Sequence, residues 1–420
     1  MSLLITGATL ADGTTTDLAV ADGRLIDPAD APADAERIDA AGLLALPGLV
    51  DLHAHLREPG HEDAETVDSG TQAAARGGYT AVFAMPNLDP TTDTGEAVAH
   101  LLEIVARDAH CEVVPIGAVT KGREGTELAE LGLMAARGVT MFSDDGACVD
   151  DALIMRRALT YLKPFGGVVA QHAQDPRLAG PGACCHESEI SGRLGLPGWP
   201  SVAESTIIAR DVQLAEFTGG RYHACHISTA ESVDVIRWAK KRGVDVTAEV
   251  TPHHLLLDTP HVEGFDTTFK VNPPLRTSEH IEALREALAD GTIDVVATDH
   301  APHAQQDKDH PFDVASPGML GLEQSLAVVV DVMVNSGRMD WATLVERMSA
   351  APARIGRLAT QGRPLAVGEP AHLVLVDPSR RATVDRSASA SRSRNNPYHG
   401  VDLPDPVQLT VWRGGVTWRR

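Results

Sequence analysis

The sequence predicts an α/β protein: a (β/α)8 barrel of the TIM type with a small β-sandwich domain formed by both chain ends. Three observations carry that expectation. Short β-branched runs alternate eight times with longer stretches of helical spacing. Ligand-type residues gather at the ends of those runs, where such barrels keep their chemistry. The two termini read as strand-turn-strand with no helical pattern, and 420 residues accommodate a barrel and a small appendage.

The eight strand candidates are 48–56 (GLVDLHAHL), 79–85 (YTAVFAM), 111–119 (CEVVPIGAV), 138–143 (GVTMFS), 166–172 (GGVVAQH), 221–228 (RYHACHIS), 245–250 (DVTAEV) and 293–300 (IDVVATDH). Helical candidates between and after them include 94–107, 124–136, 151–163, 202–218, 229–242 and 278–290. Residues 1–47 carry SLLITGATLADG and TTDLAVADGRLID, with Asp-Gly at the turns, and 365–420 carry PAHLVLVDP and VQLTVWRGGVTW. Each end alone is too small to hold a core, so 1–47 and 365–420 are expected to pack as one composite β-domain beside a barrel over 48–364. The polar stretch 379–400 is expected to be an irregular connection.

Composition narrows the function. A formal net charge of -22 and a pI near 5.2 argue against a nucleic-acid partner, because phosphate binding needs basic surface. The five cysteines are odd in number and form no C-x-x-C pair, so neither a disulfide framework nor a thiolate zinc site is indicated, and a reducing cytoplasm fits. No apolar run approaches the length of a membrane span.

In DLHAHL the strand alternation sends His53 and His55 one way and Leu52, Ala54 and Leu56 the other, so two imidazoles can share a metal ion. Alone, such a pair is as readily two hydrogen-bonded histidines. The other strand ends decide: Asp144 and Asp145 end the fourth strand, His172 the fifth, His226 the sixth and Asp299 the eighth, with no basic residue interleaved to pair the acids. His223 is set aside because it opens the sixth strand at the opposite end; His186 reads as a loop residue, and His253 and His254 stay unassigned. Four histidines and two carboxylates exceed what one catalytic zinc uses, so two ions fit better, with Asp145 the candidate bridge between them.

These segments closely resemble the long bacterial type of dihydroorotase in the amidohydrolase superfamily. DLHAHLREPG, AMPN, FSDDG, AQHAQDPRL, CHIST, VTPHHLLL, KVNPPLR and ATDHAPH match in order and spacing over about residues 45–375. The resemblance implies an enzyme that interconverts N-carbamoyl-L-aspartate and L-dihydroorotate in pyrimidine synthesis. It implies two zinc ions, one on His53 and His55 and the other on His172 and His226, bridged by Asp145 and a hydroxide, with Asp299 both ligand and proton carrier. Many relatives bridge the ions with a carboxylated lysine; here that position is Asp145, Lys121 lies too early, and Lys163 lies in a helical segment.

The same resemblance implies that Arg57, Asn87, Asn272 and His303 contact the substrate carboxylate and ring, with backbone at Pro317 and Gly318 meeting the ring. Arg57 suits the carboxylate because its planar fork pairs bidentately. Allantoinase and dihydropyrimidinase substrates lack that carboxylate, so this set disfavours them, and a non-catalytic scaffold relative is disfavoured because no ligand position is lost. A homodimer is implied, and some relatives associate with aspartate transcarbamoylase.

Overall fold

The computed structural model describes Ser2–Arg420. Eight parallel strands form the barrel: Leu49–Ala54, Tyr79–Ala84, Glu112–Pro115, Met141–Phe142, Val168–Gln171, Arg221–Ala224, Val246–Val250 and Val295–Val296. A three-stranded and a five-stranded sheet are joined by parallel bridges between Gly117 and Phe142 and between Ala54 and His300, which closes the ring. Most strands are shorter than their apolar runs, because pairing stops where the chain turns out into the loops that carry the polar residues.

Val50, Leu52, Phe83, Met141, Val168 and Val295 come from strands around the whole circumference and pack in one cluster, so they fill the barrel. Leu101, Ile104, Leu159, Ile208, Val212, Ile236 and Leu284 supply the helical side of a larger cluster against the strands' outer faces. Burial on both faces explains why the strand runs are apolar throughout. The strict alternation expected at residues 52–56 does not hold. Pairing with the second strand shifts register between Asp51 and Ala54, and Leu52 joins the interior cluster. An irregularity of this kind re-aims side chains, and here it lets Leu52, His53 and His55 all serve the interior.

Helices Gly95–Asp108, Ala152–Leu162, Val202–Thr218, Ala230–Lys241 and Ser278–Asp290 lie within a residue of expectation. Residues 124–136 differ: only Leu131–Ala136 is helical. The preceding residues fold back on 119–121, with the Lys121 amide donating to the Glu127 carbonyl and the Ala129 amide to that of Val119; the Val119 and Thr120 amides donate to the Asp144 carboxylate, and Gly122 and Gly125 turn there with positive φ. A capped helix at Val67–Arg76 and helical turns from Ser325 to Ile355 complete the outer layer.

Both chain ends build one eight-stranded sheet. Leu44–Pro47 links the halves, pairing in parallel with Leu3–Leu10 and antiparallel with Leu373–Val376. Leu3, Ile5, Val20, Leu25, Leu373, Leu409 and Val411 form its core. The stretch 379–400 is more ordered than expected. Arg381–Thr383 pairs with Asp402–Pro404, and Ser391, Ser393, Asn395, Asn396 and Tyr398 are buried against the barrel. No helix among the described residues is long and apolar enough to cross a membrane.

Candidate active site

The polar residues singled out above converge at the C-terminal ends of the strands. The Asp145 carboxylate lies at their centre: Oδ1 is 3.4 Å from His53 Nε2, 3.4 Å from His226 Nε2 and 3.6 Å from His172 Nδ1, and Oδ2 is 3.3 Å from His55 Nε2. Asp299 Oδ1 lies 3.2 Å from His55 Nε2 and 3.5 Å from His53 Nε2. All six residues are buried. Asp144, the other acid at that strand end, is spent on the Val119 and Thr120 amides.

The histidine rings are oriented from outside. His53 Nδ1 is 2.6 Å from Glu249 Oε1, His55 Nδ1 is 2.8 Å from Asn87 Oδ1, and His172 Nε2 is 3.0 Å from Gln174 Oε1. Each contact places a proton on the outward nitrogen and turns the other ring nitrogen toward Asp145. His53 Nε2 is buried with no hydrogen-bond partner. Three imidazole nitrogens and two carboxylates turned toward one another form an arrangement that a cation satisfies, and the donor set of nitrogens and oxygens suits zinc.

Electrostatics agrees. Burial disfavours the charged forms, but the carboxylates of Asp145, Glu249 and Asp299 outweigh it and hold His53 well above its usual pKa. Against the same penalty, His53 keeps Asp145 and Asp299 well below the ordinary carboxylate range. The cluster therefore carries ionised acids that call for positive charge. His53, Asp145 and His226 form one group whose donor atoms lie within 4.8 Å of one another, and His53, His55 and Asp299 form another. Cys225 approaches His53 and Glu249, yet burial pushes its thiol up, so it stays protonated and is a poor ligand.

Three residues here, Arg57 (φ 62°), His226 (φ 29°) and Asp299 (φ 45°), adopt the left-handed backbone region that non-glycine residues avoid. Such strain persists where surrounding structure over-determines it, as at active sites.

Beside the cluster is a cavity of about 200 Å³, lined by His55, Arg57, Asn87, Asp145, Asn272, Asp299, His303, Pro317 and Gly318 among others. Arg57 Nε donates to the Pro302 carbonyl, and Nη2 lies 3.5 Å from His303 Nε2. Burial brings Arg57 down to about 10, which leaves it charged at neutral pH. His303 is held neutral, by burial first and then by Arg57, and its Nε2–H donates to the Pro317 carbonyl. Asn272 donates to Gln174 and keeps a buried carbonyl oxygen without a partner. A second cavity of about 210 Å³ lies near Arg76 and Arg420, but their charges are paired with Glu323 and Asp405.

The histidines set aside lie elsewhere. His223 bonds Thr247 and Glu249, His186 receives a hydrogen bond from Arg276, and His254 lies between Thr251 and Pro273. Sequence reasoning passed over Glu249 and Gln174. Glu249 left a signal: in DVTAEV it alternates with apolar residues, so the strand turns a lone carboxylate inward. Gln174 left none.

Residues 42–232 match the family described as dihydro-orotase-like. The chain is 56% identical over 419 residues to the dihydroorotase of Streptomyces coelicolor, covering 99% of this chain and 97% of that one. It is 51% identical over 425 residues to the dihydroorotase of Mycobacterium tuberculosis, covering 100% and 99%. Among solved structures it resembles an L-hydantoinase (dihydropyrimidinase) from Arthrobacter aurescens, with a TM-score of 0.89, 26% identity and coverage of 99% and 96%.

Proposed function

This chain belongs to the dihydroorotase family, and from that premise we propose that it interconverts N-carbamoyl-L-aspartate and L-dihydroorotate in pyrimidine synthesis. It is a hydrolase of a cyclic amide bond. The observation that carries the substrate is Arg57, a partly buried cation lining the cavity beside Asn87 and His303, where dihydroorotate's ring carboxylate distinguishes it from uncharged cyclic amides.

We propose His53 and His55 as ligands of one zinc ion, His172 and His226 as ligands of a second, Asp145 as the bridge and Asp299 as a further ligand. The unpartnered Nε2 of His53 and the outward protons on three rings support that assignment. When bound, the pair of ions supplies a hydroxide at neutral pH and polarises the amide carbonyl.

The chain's own residues do the rest. Arg57 pairs with the substrate carboxylate, the His303 ring packs beside them at that end of the pocket, and the amides of Asn87 and Asn272 with the backbone at Pro317 and Gly318 hold the ring. In ring opening the Asp299 carboxylate takes the proton of the attacking water and delivers it to the leaving ring nitrogen. One C–O bond forms, one C–N bond breaks and the nitrogen gains the hydrogen. Ring closure reverses these transfers, and Arg57 keeps the flexible chain folded toward its own carbamoyl nitrogen.

The methyl ester of L-dihydroorotate tests the carboxylate pocket, because it keeps the ring and loses the charge. Opening of the ester as efficient as that of the acid would refute the role of Arg57. Kinship also supports a cytoplasmic homodimer able to associate with aspartate transcarbamoylase, which light scattering of the two chains, alone and mixed, would detect.

A further inference from the structure

The wall of the cavity around His303 is held by residues outside the chemistry. The turn Ser316–Gly318 presents three carbonyls, and each receives a side-chain donor. Lys308 Nζ lies 2.8 Å from the Ser316 carbonyl and 3.2 Å from that of Gly318. His303 Nε2 is 2.8 Å from the Pro317 carbonyl, and Asn395 Nδ2 is 3.1 Å from the Gly318 carbonyl. The same Nδ2 donates to the Ala301 carbonyl at 2.9 Å, while Asn395 Oδ1 accepts the His303 amide at 3.2 Å.

One side-chain amide thus spends its donors and its acceptor on the two loops that meet at the His303 ring. Only an amide does this, because a carboxylate would face the Ala301 and Gly318 carbonyls with lone pairs. Contact at the ring is close: a Cβ at Gly318, whose φ is 151°, would lie 2.7 Å from His303 Nε2. Asn395 arrives from the stretch after the last barrel helix. That stretch is anchored by Arg392 N to Glu65, Ser393 Oγ to the Ala64 carbonyl and Asn396 Nδ2 to Gln324.

We propose that Asn395, supported by Lys308, is a positioning residue for the carboxylate end of the pocket: it ties the Ala301–His303 loop to the Ser316–Gly318 turn and so fixes the His303 ring beside Arg57. This rests on the reading of His303 and Arg57 as carboxylate contacts. The C-terminal connection is then part of the active site. Lys308 fits the role, since burial and nearby Lys270 bring it down to about 7 against the pull of Asp266, and its hydrogen bonds go to backbone carbonyls. That cost is borne by holding the turn.

The test uses the zinc-loaded full chain with L-dihydroorotate and the variants Asn395→Ala, Asn395→Asp, Lys308→Met and His303→Ala. Loss of the clamp should raise KM about tenfold with kcat within about threefold, at unchanged zinc content. Asn395→Asp should be no better than Asn395→Ala despite its matching shape. The Asn395→Ala/His303→Ala double variant should be hardly worse than His303→Ala, because both act through one ring.

A raised KM in His303→Ala with an unchanged KM in Asn395→Ala would overturn the proposal and leave the carboxylate reading intact. An unchanged KM in His303→Ala would defeat that reading and the proposal with it. Lower zinc content and thermal midpoint in Asn395→Ala, at unchanged KM, would reduce Asn395 to general support and also overturn it.

Discussion

Oε1 of Glu249 lies 2.6 Å from Nδ1 of His53, and both side chains are fully buried. Glu249 also accepts the His226 amide at 3.1 Å and lies 2.9 Å from His223 Nε2, so one carboxylate steadies two of the four histidines around Asp145. Its removal should loosen the metal without touching a ligand. Glu249→Gln is expected to weaken zinc binding roughly tenfold and Glu249→Ala nearer a hundredfold, measured by competition with a chromophoric chelator. Unchanged affinity in both would show that the contact orients nothing.

Asp299 is the residue assigned to carry the proton. Asp299→Ala should lower kcat by at least about a hundredfold while most of the zinc stays bound, because Asp145 and the four histidines remain. Activity within a few-fold of the parent would remove Asp299 from that role.

Arg57 supplies the charge that selects the substrate. Arg57→Ala should raise KM for L-dihydroorotate by one to two orders of magnitude, the scale of a lost charge-assisted hydrogen-bonded pair, with a smaller effect on kcat. An unchanged KM would contradict its assignment.

His372 lies where the terminal sheet meets the barrel. Its carbonyl accepts the Gly48 amide at 3.0 Å, and its Nδ1 accepts the Arg413 amide at 3.2 Å. Burial, and then the Arg413 charge, lower its pKa from the usual 6.5 to about 4. Between those values the unfolded chain binds the extra proton and the folded chain does not. This group's contribution to stability is therefore present above pH 6.5 and lost as pH falls toward 4, on the order of 3 kcal/mol at most. His372→Asn keeps an acceptor and cannot titrate, so its urea midpoint should fall less steeply than the parent's between pH 7 and pH 4. Parallel curves would contradict the shift.

The barrel was legible because each strand is a β-branched run set between turn signals, and because His53, Asp145, His172, His226 and Asp299 all stand at the ends of such runs. Local pattern does not show what distant residues do to one another. Residues 124–130 have helical composition, yet their carbonyls and amides pair back on 119–121, with the Lys121 amide donating to the Glu127 carbonyl and the Ala129 amide to that of Val119. Leu52 breaks the alternation because a register shift re-aims it. The polar run containing Asn395 reads as a solvated connection, and only the fold brings it beside His303, more than ninety positions earlier in the chain. Contacts of that sequence separation leave no periodicity to read.

The most direct test is the ring-opening rate of the zinc-loaded protein on L-dihydroorotate, with dihydrouracil and allantoin in parallel and a chelator control. The expected result is opening of dihydroorotate alone, abolished by the chelator and restored by zinc. Turnover of dihydrouracil or allantoin at a comparable rate, or chelator-resistant opening of dihydroorotate, would contradict it.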